Sequence, residues 1–329
     1  MNVIMSRAIF VFLNIPVISI SLLVTLFFLS CLLITKSGQE EGVKQPLLVL
    51  LWSTVIWNGC VQVTIILFAG LEFSEVYDTW EYWVARSFVL HSTILSALST
   101  STWQSVFYYV CIVPDRRPFL VWMKKNIKEI VYWALITDRI LVLLDVVLKL
   151  ILQTSAMQKG QLNDIEFGTF TLASLNDTGD MGDQSNAQVL LYASFFLFHC
   201  QVFIMLVHTL GVIFSSGATV LYLWRHMKRM QATSSISFSS PQLQSQWRVT
   251  VASLVQGGLF IFCTVWIIVT DLLRWLSVDF DKNYHILTTV ISLFSSGTTL
   301  ILGWGQSLFR QQASSLWESA VKMYGFNRA

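Results

Sequence analysis

Charge is what this chain lacks. Of its 329 residues only 12% are Asp, Glu, Lys or Arg, against 54% hydrophobic, and the mean hydropathy is +0.62. A soluble domain carries about twice that charged fraction. Cysteine is also scarce: Cys31, Cys60, Cys111, Cys200 and Cys263 all lie inside apolar runs. No polar connector holds one, which excludes an extracellular disulfide framework, and no C-x-x-C zinc spacing occurs. The chain has no H-E-x-x-H, G-x-S-x-G, P-loop or dinucleotide fingerprint. Its histidines, His91, His199, His208, His226 and His285, are scattered. His199 and His208 share a run but stand nine residues apart, on opposite faces of a helix. No pair of membrane carboxylates has the Ser or His partners that hydrolysis needs. These absences argue against an enzyme, a cofactor or a metal site, and a net charge of +2 gives no ground for a nucleic-acid partner.

What the chain has is long apolar runs. Runs of eighteen or more residues mark membrane helices, because a bilayer requires each backbone N–H and C=O to be satisfied within its own segment. About seven such spans are expected, over 8–35, 46–70, 82–113, 127–152, 187–224, 247–276 and 284–306. The fold class is therefore an all-α membrane protein, one transmembrane domain over 1–329. The first run is too long for a cleavable signal segment. In the fourth span Asp138, Arg139, Asp145 and Lys149 interrupt the apolar pattern. A charge at the bilayer centre costs a few kcal/mol or more unless it faces protein. Asp145 and Lys149, four residues apart, can pair. The fifth and sixth runs exceed the hydrocarbon thickness and are expected to project beyond it.

Connectors one, three and five collect Lys36, Lys44, Arg116, Arg117, Lys124, Lys125, Arg225, Lys228, Arg229 and Arg248. The alternate connectors hold Lys159 and Lys282 among acids such as Glu72, Glu75, Asp164, Glu166 and Asp177. The positive-inside rule then puts the N-terminus outside the plasma membrane and the C-terminus in the cytoplasm. A sequon at Asn176, in "NDT", falls on the outer side, as glycosylation requires. After the last span, 307–322 spaces Phe309, Ala313, Leu316, Trp317 and Ala320 as an amphipathic helix on the inner surface. No repeat links the two halves, unlike many transporters.

Binding chemistry gathers at the outer ends. Arg86 and His91 in the third span, Trp266 and Thr270 in the sixth, and His285 and Thr288 in the seventh mix aromatic, hydroxyl and titratable groups. Such a cluster suits a small-molecule cavity. For any one of these residues, packing or interfacial anchoring is the plainer explanation, and Asp271 with Arg274 could simply pair.

Family resemblance rests on inner segments. "SVFYYVCIV" (105–113) with "PDRRPFLVWMKKNI" (114–127), and "LYLWRHMKRMQ" (221–231), resemble the bitter taste receptors, the type 2 taste receptor family. "GQSLFRQ" (305–311) and Pro241 add weaker likeness. The type 1 vomeronasal pheromone receptors share some of these features. They carry a cysteine at the outer start of helix three, where this chain reads "EYWVARS". Departures from the bitter pattern mark a divergent member: Cys111 stands for a lysine, and Ser295, Thr298 and Thr299 stand where P-x-x-H-S would be.

The resemblance implies a seven-helix G-protein-coupled receptor. Its agonist would be a small, apolar or amphipathic molecule bound near Arg86, Leu90, His91, Ile94, Trp266, Thr270, His285, Thr288 and Ile291. Its heterotrimeric G protein would dock at the inner end, around Tyr108, Arg116, Arg225, Lys228, Arg229 and Arg248. The basic belt from Arg225 to Arg229 would also meet anionic lipid, and helical spacing forbids all three cations from facing the bundle. The rival class is a helical transporter using Asp138, Arg139 and Asp145 as a buried ion path.

Overall fold

The structure, a computed structural model, describes residues 5–37, 45–74, 80–113, 118–158, 181–233, 241–276, 281 and 284–326. Among these the chain forms nine helices and no strand. Seven are long: α1 (Arg7–Ser37), α2 (Gln45–Leu71), α3 (Trp80–Ile112), α5 (Ile127–Gln158), α6 (Met181–Thr233), α7 (Pro241–Trp275) and α8 (His285–Gly305). Two are shorter: α4 (Pro118–Lys125) before α5, and α9 (Ser307–Phe326) after α8. The sequon at Asn176 and the residues Arg116 and Arg117 lie outside the described residues.

The bundle is inside-out by the standards of a soluble protein. Phe12 is 79% exposed and Phe214 72%, whereas Gln62, Thr100, Ser295 and Thr298 are fully buried. In lipid the outer surface must be apolar, and polar groups must find partners within. Five helices are long and apolar enough to cross a bilayer: Arg7–Ile34, Pro46–Leu71, Phe195–Arg229, Trp247–Leu273 and His285–Gly305. The exceptions among the long helices, α3 and α5, have separate causes.

α3 is rich in Ser, Thr and Gln, and it is the central helix, packed against α2, α5, α6 and α7. Almost every residue from Thr93 to Ser105 is buried or partly so, so its hydroxyls meet protein rather than lipid. α5 carries the four charges that interrupt the fourth span, and they turn towards its neighbours. Asp138 Oδ2 accepts from Ser99 Oγ at 2.5 Å and Trp103 Nε1 at 2.6 Å. Arg139 donates to the Ser96 carbonyl at 3.1 Å and Thr100 Oγ1 at 2.7 Å, with its guanidinium over Trp57. Asp145 pairs with Lys149 at 2.7 Å, as the spacing predicts. The charges thus have separate hydrogen-bond partners.

A second polar knot joins α1, α2 and α8. Gln62 Nε2 lies 2.7 Å from Ser21 Oγ, 3.3 Å from Ser295 Oγ and 3.2 Å from Thr299 Oγ1. Thr25 Oγ1 donates back to Gln62 Oε1 at 3.0 Å. An amide nitrogen has two protons, so two of the three acceptors are served at once. Ser295 and Thr299, which depart from the family pattern, are thus matched by an amide on α2.

α6 has 53 residues, about 80 Å of helix, against a hydrocarbon layer of about 30 Å. It begins before 187 and ends after 224, and α7 starts six residues before 247. α9 packs against the bundle at its start. Phe309 is buried and stacks on Phe28 with ring centroids 4.2 Å apart, whereas Trp317 and Val321 are exposed. Arg310 Nη1 caps the end of α8 by donating to the Trp304 carbonyl at 2.5 Å. Burial, then the charge of Arg248, pushes its guanidinium below its ordinary value.

The α1–α8 contact requires glycine at 303. A Cβ there would come 2.7 Å from Phe28 Cζ, and Phe28 is pinned against Phe309. Overpacking costs about 1–3 kcal/mol, more than the gain of ~1 kcal/mol from alanine in a helix. Gly303→Ala is expected to lower the melting midpoint of the detergent-purified protein. Gly70→Ala, whose Cβ meets nothing within 4 Å, leaves it unchanged or raises it. Equal midpoints for the two variants would refute this account of the contact.

Candidate functional site

At the end of the bundle that holds Arg7, α2 stops at Leu71 and delivers Glu72 into the interior, 0% exposed. Arg86, one turn and a half into α3, meets it: Nη1 donates to Glu72 Oε1 at 2.6 Å. Arg86 Nη1 lies 3.2 Å from Tyr82 Oη, and Nη2 donates to Thr288 Oγ1 at 3.3 Å. Its guanidinium also sits over the rings of Phe10 and Tyr82. His285 Nε2 lies 3.2 Å from Glu72 Oε2, its Nδ1 3.0 Å from the Met5 carbonyl, and its ring stacks on Phe10 at 4.7 Å. One carboxylate therefore joins α1, α2, α3 and α8.

The start of α8 is shaped for this. Asp281 and Tyr284 both have positive φ, 46° and 53°, uncommon for an Asp and strained for a tyrosine. The Asp281 carboxylate accepts from the backbone N–H of Ile286 at 3.1 Å and Leu287 at 2.8 Å. It thereby satisfies two of the otherwise unpaired donors of the first turn.

Below the ion pair lies a narrow crevice between α3, α7 and α8. Five of the nine residues expected at an agonist site line it: Arg86, Leu90, His91, Ile94 and Ile291. His285 and Thr288 stand behind it as partners of Glu72 and Arg86. Thr270 is buried with its hydroxyl donating to the Trp266 carbonyl, and Trp266 packs against the main apolar core. In this arrangement the crevice is closed, with about 10 Å³ of free space, room for one water. At its rim His91 Nε2 lies 3.6 Å from Asp271 Oδ2, which Gln201 Nε2 approaches at 3.4 Å. Gln201 in turn accepts from Lys149 at 2.7 Å. Asp271 thus faces α3 and α6; the side chain of Arg274, its other candidate partner, lies outside the described residues.

A larger space opens elsewhere. Between α3, α5, α6 and α7 there is a cavity of about 340 Å³, with Asp138 and His208 in its wall. None of the nine expected agonist residues lines it. His199, in contrast, is exposed on the other face of α6, as the nine-residue offset predicts.

At the opposite end, Tyr108 is buried and accepts from Gln104 Nε2 at 3.0 Å and from Gln306 Nε2. It ties α3 to the joint between α8 and α9. Ser105 Oγ lies 2.8 Å from Ser216 Oγ, which lies 3.4 Å from Ser253 Oγ, so α3, α6 and α7 meet through hydroxyls. The cations of α6 do not line this junction. Leu223 and Met227 are its buried residues there, and Arg225, Lys228 and Arg229 are all exposed. At about 100° per residue, Arg225 and Arg229 share the face opposite Met227. Lys228 points sideways, with Nζ 5.7 Å from the centroid of Trp224. Arg248, on α7, is half-buried.

A model of the taste receptor protein (TAS2R) family matches residues 45–320. Taste receptor type 2 member 40 of Gallus gallus is 23% identical over 240 residues, covering 71% of this chain and 72% of its own.

Sequence reasoning missed Glu72, read only as one acid in an outer connector. Removing one member of a buried ion pair costs about 3–5 kcal/mol, whereas replacing both with apolar residues costs far less. Glu72→Gln and Arg86→Met are each expected to reduce the melting midpoint and surface display sharply. The double variant Glu72→Leu with Arg86→Met recovers much of both. A double variant worse than the sum of the singles would refute the ion-pair account.

Proposed function

The chain belongs to the taste receptor (TAS2R) family, the bitter taste receptors, and from that membership we propose how this multi-pass receptor reads its agonist. The agonist is a small apolar or amphipathic molecule that reaches the crevice from the end holding Arg7, which faces outwards. Glycosylation at Asn176 belongs to the same orientation. The observation that carries this reading is the convergence of Arg86, Leu90, His91, Ile94 and Ile291, from two helices, on one crevice. Its walls are aliphatic, with a guanidinium and an imidazole as the polar groups, so apolar burial supplies most of the affinity.

The closed crevice describes a resting arrangement. An agonist shifts the population only if it binds an arrangement with the crevice open more tightly than this one. To enter, it parts α3 from α7 and α8, and the His91–Asp271–Gln201 contacts carry that displacement to α6 and α7. At the other end the same helices are held by Ser105, Ser216 and Ser253, hydroxyl contacts that break at small cost. Releasing them, with the Tyr108–Gln306 contact, lets α6 and α7 separate from α3. The heterotrimeric G protein then inserts near Arg248, Lys228 and Arg116. Arg225 and Arg229, facing away from the bundle, anchor α6 to anionic headgroups.

The test is expression with a promiscuous G protein and a calcium reporter, against a broad panel of bitter compounds and bile acids. Surface display is read with an antibody to an amino-terminal tag on intact cells, which also tests the orientation. Calcium responses are expected, and Leu90→Val, which removes one methylene from the crevice wall, shifts the agonist's potency by roughly tenfold at unchanged display. Silence across the panel with normal display would refute the proposal.

Charge reversal separates anchor from docking site. Arg248→Glu is expected to reduce signalling at normal display. Arg225→Glu with Arg229→Glu reduces display instead, because each cation near the cytoplasmic surface contributes about 1 kcal/mol of attraction to anionic lipid. The opposite pattern would exchange the two roles.

A further inference from the structure

The cavity between α3, α5, α6 and α7 has its mouth on the side of the bundle. Its lips, Leu141, Leu144 and Leu148 on α5 with Phe196 and Phe203 on α6, are all exposed on the lipid-facing surface. At about 340 Å³ it falls within the range of small-molecule sites. Its inner wall is not apolar throughout. Asp138 lines it, and both protein donors, Ser99 Oγ and Trp103 Nε1, are spent on Oδ2. Oδ1 has His208 Nε2 at 3.9 Å, beyond hydrogen-bond distance.

The neighbouring cations give their hydrogen bonds elsewhere, although the charge of Arg139 lies close enough to act on Asp138. Arg139 is turned to the Ser96 carbonyl, Thr100 and the Trp57 ring. Lys149, about three helical turns or ~16 Å further along α5, pairs with Asp145, which also lines the cavity, and donates to Gln201. Among the described residues no Lys or Arg forms an ion pair with Asp138. A carboxylate at membrane depth with an open oxygen on an apolar cavity is complementary to one class of occupant, a cation with a hydrocarbon body. An amine supplies a charge-assisted hydrogen bond to Oδ1, and its chain fills the channel between the leucines and phenylalanines.

We propose that this cavity is a second binding site, distinct from the agonist crevice, for protonated lipophilic amines that enter sideways from the bilayer. The amine sits on Asp138 Oδ1 and the alkyl chain runs towards the lips on α5 and α6. Such a ligand touches α6 at His208 and α7 at Phe260 and Thr264, so its occupancy biases the helices whose movement signalling requires. Binding at this site does not depend on the crevice being the agonist site, and the measurement below uses no signalling.

The full chain is reconstituted in phosphatidylcholine nanodiscs and irradiated with N,N-dimethyldodecylamine carrying a mid-chain diazirine. The labelled peptides are mapped by mass spectrometry. Labelling is expected on 141–148 and 196–203, and unmodified N,N-dimethyldecylamine competes it away. Asp138→Asn keeps an acceptor for Ser99 and Trp103 and removes the charge; it is expected to cut this labelling by roughly tenfold to a hundredfold. Glu129→Gln, exposed at the start of α5, leaves it unchanged. Leu144→Trp, at an exposed position where folding tolerates a large apolar side chain, blocks the mouth and abolishes labelling with the carboxylate intact. The neutral probe, the matching N,N-dimethylamide, labels these peptides only at the level of Asp138→Asn. Equal labelling by amine and amide, or undiminished labelling of either variant that retains the wild-type melting midpoint, would overturn the proposal. So would labelling spread evenly over the lipid-facing helices.

Discussion

α3 can lie at membrane depth only because other helices surround it. Its run of serines, threonines and glutamine from Thr93 to Ser105 would be costly against lipid, where no water satisfies a hydroxyl. Packed at the centre, the same residues become attachment points. Ser96, Ser99 and Thr100 take Asp138 and Arg139 of α5, and Ser105 takes the hydroxyls of α6; further along α3, Arg86 takes the carboxylate of Glu72. The arrangement of α2, α5, α6 and α7 follows from this one polar column. Remove the column and Asp138 and Arg139 of α5 lose their hydrogen-bond partners at membrane depth.

The two ends of the bundle are held by chemistry of different strength. Near Arg7 a buried carboxylate and guanidinium, reinforced by His285, Thr288 and Tyr82, make a contact that is expensive to break by halves. At the other end, neutral hydroxyls and one tyrosine–glutamine contact join α3 to α6, α7 and α8. A neutral hydrogen bond contributes only about 0.5–1.5 kcal/mol. On the mechanism proposed above, the contacts that break when α6 and α7 part from α3 are the weaker set. The family departures in α8 also find their place here: Ser295 and Thr299 are held by Gln62, so the helix is tied to α2 by an amide.

Legibility differed between elements for physical reasons. The long helices were readable, because bilayer thickness sets their length and lipid sets their composition. The i, i+4 pair of Asp145 and Lys149 was readable from helical geometry alone, as was the separation of His199 from His208. α4 was not, being a short helix in a connector with no strong period. Glu72 looked like a solvated connector acid; its burial depends on Arg86, fourteen residues later, and on His285, more than two hundred later. Residues at the expected agonist site were grouped by depth, and depth does not say whether a side chain faces a ligand or another helix. Arg86, His285 and Thr288 serve each other.

By itself, then, the sequence determined the class of solvent this protein lives in, its long helices, the spacing of charges along each and, through a few short motifs, its family. Those are properties of single segments, set by local periodicity and by what a bilayer tolerates. Only the tertiary structure decided which polar groups meet. The Glu72–Arg86 pair, the closed crevice, the outward turn of Arg225 and Arg229, and the sideways cavity on Asp138 all depend on how helices distant in the chain rotate against one another. That rotation is chosen by the sum of many buried contacts, and no one segment records it.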